Sequence, residues 1–219
     1  MPQQVLIIGL GQFGMSLART LSEKGAEVLA VDNKRNLVDE ASSFVTEAVA
    51  MDVTDEAQLL SIKPQQRDVA VCAIGDESRE SSIICTALLK QMGTPLIVAR
   101  ASDQLHRRIL QLVGAHQIIN PEEEFGKRFA NRLLYRHLIA ETRIGDDLQI
   151  TEIRVQPWMV GKNLLELALP KRFSIMVVAV RRGDSKKIVQ PSPEERLRED
   201  DVMVIVSNEA SIQKFMKEV

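Results

Sequence analysis

Three glycines near the start of the chain have the spacing of a phosphate-binding turn. Gly9, Gly11 and Gly14, in the run GLGQFG, directly follow the apolar segment VLII and open an amphipathic stretch, which is the context that dinucleotide binding requires. Gly9 permits a tight turn, Gly11 lets phosphate oxygens approach the backbone, and Gly14 allows a helix to pack closely on a strand. The helix N-terminus would supply N–H donors and a positive dipole. The alternative is a glycine turn without a ligand.

A carboxylate follows the second apolar segment at the distance that a ribose contact requires. Asp32 ends the run EVLAVD, 18 residues after Gly14, and could accept hydrogen bonds from both ribose hydroxyls. It would repel a 2′-phosphate, although Lys34 and Arg35 soften that repulsion. The motif therefore favours NAD or an adenine nucleotide over NADP. The alternative role of Asp32 is a helix cap.

Two further polar positions stand at predicted strand ends. Asp52 ends the third predicted strand, and Ile74, Gly75 and Asp76 lie at the end of the fourth. Ligands in open α/β sheets bind at the carboxyl ends of the strands, so these residues are expected to wall the adenosine side. Asp52 is placed for the adenine amino group, with a helix cap before DEAQLL as its alternative role.

A nucleotide-binding fold raises the hypothesis of an NAD-dependent oxidoreductase. The chain has one tyrosine, Tyr135, and Ile139 stands where the Tyr/Lys proton-transfer pair of short-chain enzymes needs a lysine. His106, His116 and His137 remain as candidate acids or bases. A nucleotide sensor needs no catalytic group, so we expect a non-enzyme and keep the oxidoreductase as the alternative.

Short apolar runs alternate with helix-length amphipathic stretches over the first part of the chain. Continuous apolarity marks strands covered on both faces, and the alternation implies crossovers into a parallel sheet. We therefore predict a doubly wound α/β domain. Its strands are expected at 5–9, 27–32, 46–52, 68–75, 95–100 and 115–119, and its helices at 13–24, 36–44 and 78–92.

A long helix is predicted at about 122–141, after Asn120-Pro121, because Pro and three glutamates suit a helix N-terminus. Its apolar stripe either packs on its own sheet or docks a second subunit. The stripe consists of Phe125, Phe129, Leu133, Leu134 and Leu138.

The pattern changes near Gly145 into a β-α-β-β-β-α order typical of a small α+β domain. Strands are expected at 149–155, 174–180, 187–192 and 201–207, helices near 164–169 and at 209–219, and a hairpin tip at 181–187. The predicted domains are 1–120, a helix and linker at 121–145, and 146–219.

Composition excludes several classes of protein. Lys+Arg number 28 against 30 Asp+Glu, a formal charge of −2, so no nucleic-acid partner is expected. Cys72 and Cys85 lie in apolar surroundings without metal-site spacing and are expected to be buried, reduced thiols. The longest apolar runs are too short to cross a bilayer, which favours a cytosolic protein.

Taken together, the motifs resemble the regulator of potassium conductance (RCK) family. The resemblance covers essentially the whole chain and is closest to the cytosolic gating subunits of Ktr/Trk potassium uptake systems. It implies a Rossmann-like nucleotide-binding domain, a crossover helix and a C-terminal ligand-binding or dimerisation domain. The motifs that carry it are GLGQFG, VD at 31–32, AMD at 50–52, AIGD at 73–76, IVARA at 97–101, VGAHQIINPEEEFG at 113–126 and REDDVMVIVSN at the end of the small domain.

The family's known behaviour suggests a switch. Its members form dimers through the nucleotide domain and crossover helix, and typically an octameric ring beneath a dimeric ion-translocating membrane protein. ATP and ADP, or NAD and NADH in some relatives, stabilise different ring shapes. The resemblance thus implies a regulatory subunit that is cytoplasmic and peripheral to the membrane through its partner.

The resemblance also implies particular contacts in this chain. Residues of the glycine loop, Gly9, Gly11, Gln12, Phe13 and Gly14, would hold phosphates. The ribose would lie on Asp32, Asn33 and Lys34, and the adenine edge on Asp52 and Val53. The pocket would continue along Ile74, Gly75, Asp76, Arg100, Ala101, Ser102 and His106, with Glu122 near the phosphates as a contributor to a divalent-cation site.

One departure concerns the nucleotide. ATP-activated members commonly have an arginine in the glycine loop that reaches the γ-phosphate, and this chain has Gln12 there. Loss of a bidentate guanidinium is expected to weaken discrimination of ATP from ADP, or to mark a member that binds NAD(H). Some relatives bind cyclic di-AMP in the C-terminal domain; here 169–175 and 191–193 lie where such a pocket would form, with dimerisation alone as the alternative.

Overall fold

The computed structural model describes residues 2–145, 147–183 and 187–218. They form two compact units, one up to Glu123 and one from Glu124 onward. The predicted hairpin tip at 181–187 lies partly outside the described residues, because 184–186 fall between the described ranges.

The first unit is built on a six-stranded parallel sheet, which confirms the predicted α/β class. Its strand order is β3-β2-β1-β4-β5-β6, with β1 at the centre. The strands are β1 (Gln4–Ile8), β2 (Glu27–Asp32), β3 (Glu47–Ala50), β4 (Val69–Cys72), β5 (Ile97–Arg100) and β6 (Gln117–Ile119).

Helices cover both faces of this sheet. Alternate residues of β1 enter two different apolar clusters, Val5 and Ile7 in one and Leu6 and Ile8 in the other. This double burial explains why the strands are continuously apolar in sequence. The covering helices are α1 (Gln12–Glu23), α2 (Arg35–Ala41), α3 (Glu56–Ser61), α4 (Arg79–Gln91) and α5 (Gln104–Leu112).

The sixth helix is shorter than the sequence predicts. Helix α6 spans Pro121–Leu134, with Asn120 Oδ1 accepting a hydrogen bond from the Glu123 N–H at 3.0 Å. The predicted continuation to 141 is wrong because Leu138–Arg143 forms strand β7, antiparallel to β8. Leu138 continues the helical spacing, but its backbone pairs with a strand that lies later in the chain. The C-terminal sheet therefore begins before the predicted boundary at 146.

The second unit contains a five-stranded antiparallel sheet in the order β10-β9-β11-β8-β7. Apart from β7, its elements follow the predicted order, and one face packs on a core that includes Phe173, Met203 and Phe215. Its remaining elements are β8 (Gln149–Arg154), α7 (Leu164–Leu167), α8 (Leu169–Phe173), β9 (Met176–Arg181), β10 (Ile188–Val189), β11 (Val202–Ser207) and α9 (Glu209–Met216).

Two sequence expectations concern buried thiols and membrane spans. Cys72 and Cys85 are free and buried in the first unit, as predicted. Within the described ranges, none of the helices combines the length and the apolar character that a membrane crossing needs.

Adjacent leucines on α3 test the packing of the first unit. Leu59 is fully buried, whereas Leu60 is 52% exposed. Replacing Leu59 with Ala leaves a cavity and should lower the free energy of unfolding by about 2–5 kcal/mol. Leu60→Ala is the matched control, expected to stay within about 0.5 kcal/mol of the unchanged protein in urea unfolding. Equal losses in the two variants would contradict this packing of α3.

Candidate functional site

A cavity of about 490 Å³ lies at the carboxyl ends of the parallel strands in the first unit. From β1 the chain adds β2 and β3 on one side of the sheet and then β4, β5 and β6 on the other. Open α/β sheets form their ligand crevice at such a switch point. The cavity brings together most of the predicted site residues: Gly9, Gly11, Asp32, Asn33, Lys34, Asp52, Val53, Ile74, Gly75, Asp76 and Arg100.

The glycine loop has the backbone geometry that the sequence motif requires. Gly9 has a φ of +94°, and its N–H donates to the Val31 carbonyl at 2.8 Å. A Cβ on Gly14 would fall well inside van der Waals contact of the Gly9 carbonyl oxygen. A Cβ on Gly11 would have no heavy atom within 4 Å among the described residues. Glycine is therefore structurally required at 9 and 14, whereas at 11 it leaves open space beside the cavity.

The N-terminus of α1 is open toward a ligand. Gly11 is the N-cap residue, and in the described structure no side chain caps this end. The first N–H groups of a helix have no partner within the helix, and together with its dipole they favour an anion. Gln12 is exposed and Phe13 half-buried at this end. The arrangement can bind phosphate through backbone donors.

Asp32 connects the end of β2 to the glycine loop. Its Oδ2 accepts a hydrogen bond from the Leu10 N–H at 2.6 Å, and its Oδ1 accepts one from the Lys34 N–H at 2.8 Å. Helix α2 has Lys34 at its N-cap, so Asp32 is not the cap of that helix. Each carboxylate oxygen has a further lone pair, and these can accept hydroxyl protons from a ribose.

Asp52 has a local partner rather than a capping role on α3. Its Oδ1 accepts hydrogen bonds from the Thr54 hydroxyl at 2.7 Å and the Thr54 N–H at 2.9 Å. These bonds, the hydroxyl first, lower the pKa of Asp52 below its usual value. The N-cap of α3 is Asp55, whose side chain accepts from the Ala57 and Gln58 N–H groups. The alternative role considered for Asp52 as the helix cap is therefore wrong.

On the other side of β1, an arginine and a glutamate meet. Arg100 Nη2 lies 2.5 Å from Glu122 Oε1, and Arg100 Nε lies 3.4 Å from Glu122 Oε2. Arg100 ends β5, and Glu122 stands in the first turn of α6. A Cβ on Gly75 would lie 3.2 Å from Arg100 Nη1, so the absence of a side chain there leaves room for the guanidinium.

The predicted site residues Ala101, Ser102 and His106 lie beside the cavity and do not line it. Ala101 is buried in the core, while Ser102 Oγ lies 3.2 Å from Nδ1 of the buried His106. Asp103 caps α5 by accepting from the His106 N–H at 2.7 Å, and it also pairs with Arg79. Burial, followed by the charge of Arg79, lowers the pKa of His106 below its usual value. Its Nε2 has no hydrogen-bond partner among the described residues.

The cavity also has lining residues that the sequence analysis missed. Four of them are Leu37, Glu77, Ser78 and Ser81. Leu37 lies in the first turn of α2, and the others lie between the end of β4 and the first turn of α4. The available signal was their position just after strand ends, which is where ligands bind in this architecture.

Within the described ranges, no cluster of three or more His, Cys, Asp or Glu side chains could hold a metal ion. Glu122 contributes one carboxylate, and hard cations such as Mg²⁺ take several oxygen ligands, often from substrate phosphates. A divalent cation at Glu122 would therefore need a bound phosphate or a second subunit to complete its coordination.

The second unit has a cavity of about 400 Å³. It is lined by Arg143, Asp147, Leu148, Gln149, Asn208, Glu209 and Ala210, and not by the segments expected for a cyclic dinucleotide. In the segment 169–175, Leu169, Phe173 and Ile175 are buried in the core of this unit.

The fold and the cavity define a class: a ligand-binding protein with a doubly wound parallel sheet followed by a small antiparallel domain. Within this class, the TrkA-N domain family matches residues 5–121, and the TrkA-C domain family matches residues 150–219. The chain belongs to the TrkA-N/TrkA-C (RCK) family.

Full-length relatives support this assignment. The chain is 31% identical over 219 residues to the Ktr system potassium uptake protein C of Bacillus subtilis, covering 100% of this chain and 98% of the relative. It is 32% identical over 215 residues to the Ktr system potassium uptake protein A of Vibrio alginolyticus, covering 98% and 97% of the two chains.

Solved structures agree on the fold. The chain is similar to the GsuK RCK domain, with a TM-score of 0.65 and 20% identity, and to the GsuK channel bound to NAD, with a TM-score of 0.63 and 20% identity. The alignments cover 99% and 96% of this chain but 47% and 38% of those chains, so it spans less than half of either.

Alanine variants at Gly14 and Gly11 test two different roles of glycine: close packing of the helix at 14, and space for a ligand at 11. Gly14→Ala should lower the free energy of unfolding by about 1–3 kcal/mol or more, because its methyl group collides with the Gly9 carbonyl. Gly11→Ala should stay within about 0.5 kcal/mol of the unchanged protein.

Thermal unfolding of Gly11→Ala, measured with and without ADP, tests whether a phosphate approaches this loop. A ligand at 100 times its dissociation constant adds about 2.7 kcal/mol of stability. Gly11→Ala should fold normally and lose this increment, because its methyl group occupies the path of the phosphate. If Gly11→Ala kept the full increment, phosphate would not approach the backbone at this loop.

Proposed function

We propose that this chain is the nucleotide-sensing gating subunit of a Ktr-type potassium uptake system. In this proposal a nucleotide in the cavity of the first unit controls a membrane subunit that translocates the ion. The observation that carries the proposal is the cavity itself, which joins a helix N-terminus without a side-chain cap to a carboxylate at the end of the next strand. The full-length similarity to Ktr system potassium uptake proteins supplies the physiological context.

The proposed ligands are ATP and ADP, with NAD and NADH as the second choice. Asp32 is placed to accept ribose hydroxyls, and the α1 N-terminus to bind the first phosphates. The GsuK channel, which shares the fold, has been solved bound to NAD. Gln12 offers an amide in place of a guanidinium, so selection of ATP over ADP does not come from charge at this position.

Two further ligands belong to the proposal. A divalent cation would bind with the nucleotide, using Glu122 and phosphate oxygens. Cyclic di-AMP would bind in the C-terminal unit; dimerisation alone is the alternative role of that unit.

The proposed assembly is a homodimer formed through α6 that builds an octameric ring. In the described structure every side chain of α6 is at least partly exposed, and its apolar residues Phe125, Phe129, Leu133 and Leu134 are strongly so. The rings of Phe125 and Phe129 stack at 5.6 Å. An exposed apolar stripe on a helix is typical of a subunit contact. The ring would lie in the cytoplasm, peripheral to the membrane through its ion-translocating partner.

A gating role requires that the nucleotide binds two states of the assembly differently, because a ligand shifts an equilibrium only by its differential affinity. No chemical step is needed. The relatives are potassium uptake proteins, so the chain is a regulatory protein and the oxidoreductase alternative has no support from them.

Potassium flux through a reconstituted Ktr-type membrane subunit tests this function. Flux should change when ADP is exchanged for ATP in the presence of the protein. Asp32→Ala should lose this response because the ribose loses its acceptor, and Asp39→Ala, an exposed carboxylate on α2, should keep it. Flux that ignores nucleotides would contradict the proposal. Substrate-dependent NADH formation that Asp32→Ala abolishes would establish the oxidoreductase instead.

The dimer contact can be tested on α6. Replacing both Phe125 and Phe129 with Glu places charge in the proposed interface and should raise the dimer dissociation constant at least about a hundredfold. Light scattering across a concentration series measures this change. Leu60→Glu, which alters an exposed leucine on α3, is the control and should leave the assembly intact. An unchanged assembly in the double variant would place the contact elsewhere.

A further inference from the structure

Arg100 and Glu122 form a two-point ion pair at one end of the nucleotide cavity. The two donor–acceptor distances, 2.5 Å from Nη2 and 3.4 Å from Nε, join one edge of the guanidinium to both carboxylate oxygens. The Arg100 side chain is only 18% exposed, while that of Glu122 is 60% exposed. The arginine is therefore fixed in the cavity wall, and the glutamate is the partner that is free to leave.

The order of the strands indicates which part of a ligand would reach this pair. Asp32 ends β2 and Asp52 comes just after β3, on one side of the central strand β1. Gly75 comes after β4 and Arg100 ends β5, on the opposite side. A nucleotide with its ribose at Asp32 and its first phosphates at the α1 N-terminus would extend toward Arg100 with its terminal phosphate or second nucleotide half.

The charges lining the cavity make the state of Arg100 important. The acidic residues among the described lining are Asp32, Asp52, Asp76 and Glu77, and the basic ones are Lys34 and Arg100. Lys34 lies on the adenosine side, so Arg100 supplies the positive charge on the terminal-phosphate side. While it is bonded to Glu122, this charge is neutralised by a carboxylate that would itself repel phosphate.

We propose that Glu122 is a built-in competitor of the terminal phosphate for Arg100. This inference rests on the proposed function, because it takes the cavity to be a nucleotide site. A phosphate that binds Arg100 displaces the carboxylate. Arg100 and Glu122 thereby set how strongly nucleotide binding depends on the terminal phosphate.

The exchange also reaches the helix that carries the proposed dimer contact. Glu122 stands in the first turn of α6, one turn before Phe125. Loss of the ion pair removes a bond that holds the start of this helix to the end of β5. A change in the terminal phosphate would thus be felt at the beginning of α6.

Binding measurements on Glu122→Gln distinguish two roles of this carboxylate: competition with phosphate for Arg100, and direct contact with the nucleotide. In EDTA, calorimetry should show about five- to tenfold tighter ADP binding than in the unchanged protein, because the neutral amide releases Arg100. The gain should be larger for ATP and absent for adenosine, which has no phosphate. Arg100→Gln should weaken ADP binding, and in Arg100→Gln/Glu122→Gln the gain should vanish.

Glu124→Gln is the matched control, since it removes an exposed charge from the same helix, and it should bind ADP like the unchanged protein. If Glu122→Gln bound ADP in EDTA equally well or more weakly, competition would be overturned while the nucleotide site stood. A gain that persisted in Arg100→Gln/Glu122→Gln would also overturn it, because the effect would not pass through Arg100. An unchanged protein that bound neither ADP, ATP nor adenosine would overturn both the inference and the proposed nucleotide site.

Discussion

The close approach of α1 to the end of β1 is the constraint on which the nucleotide cavity depends. Gly14 lies so near the Gly9 carbonyl that a methyl group does not fit, and this contact places the helix N-terminus at the switch point of the sheet. The loop between them presents the Leu10 N–H to Asp32. A larger residue at 14 would therefore disturb the helix dipole, the ribose acceptor and the cavity together.

In the proposed nucleotide site, backbone groups rather than side chains would bind the first phosphates. Acidic residues outnumber basic ones in the described lining, and Gln12 adds no charge at the glycine loop. A sensor of this kind can distinguish nucleotides on the far side of β1, where the fixed Arg100 and the exposed Glu122 face each other. Under the proposed competition, phosphate number acts on this ion pair, which joins the cavity wall to the first turn of α6.

Sequence patterns predicted the first unit well because its signals are local. Double burial makes the parallel strands continuously apolar, and the glycine loop and Asp32 lie at fixed distances along the chain. The helix at 122–141 failed beyond Leu134, because the spacing of Leu138 suits a helix as well as a half-buried strand. Pairing of β7 with β8 decided between the two, and that pairing is a long-range property that periodicity does not report.

The amino-acid order thus specified the α/β class, the glycine loop and the positions of Asp32 and Asp52, the proposed ribose and adenine contacts. Tertiary structure alone decided that Arg100 meets Glu122, 22 residues away. Tertiary structure also brought Ser78 and Ser81 into the cavity lining. The physical reason is that backbone propensity and burial act over a few residues, whereas the partners of a polar side chain depend on strand order, register and the direction in which each helix leaves the sheet.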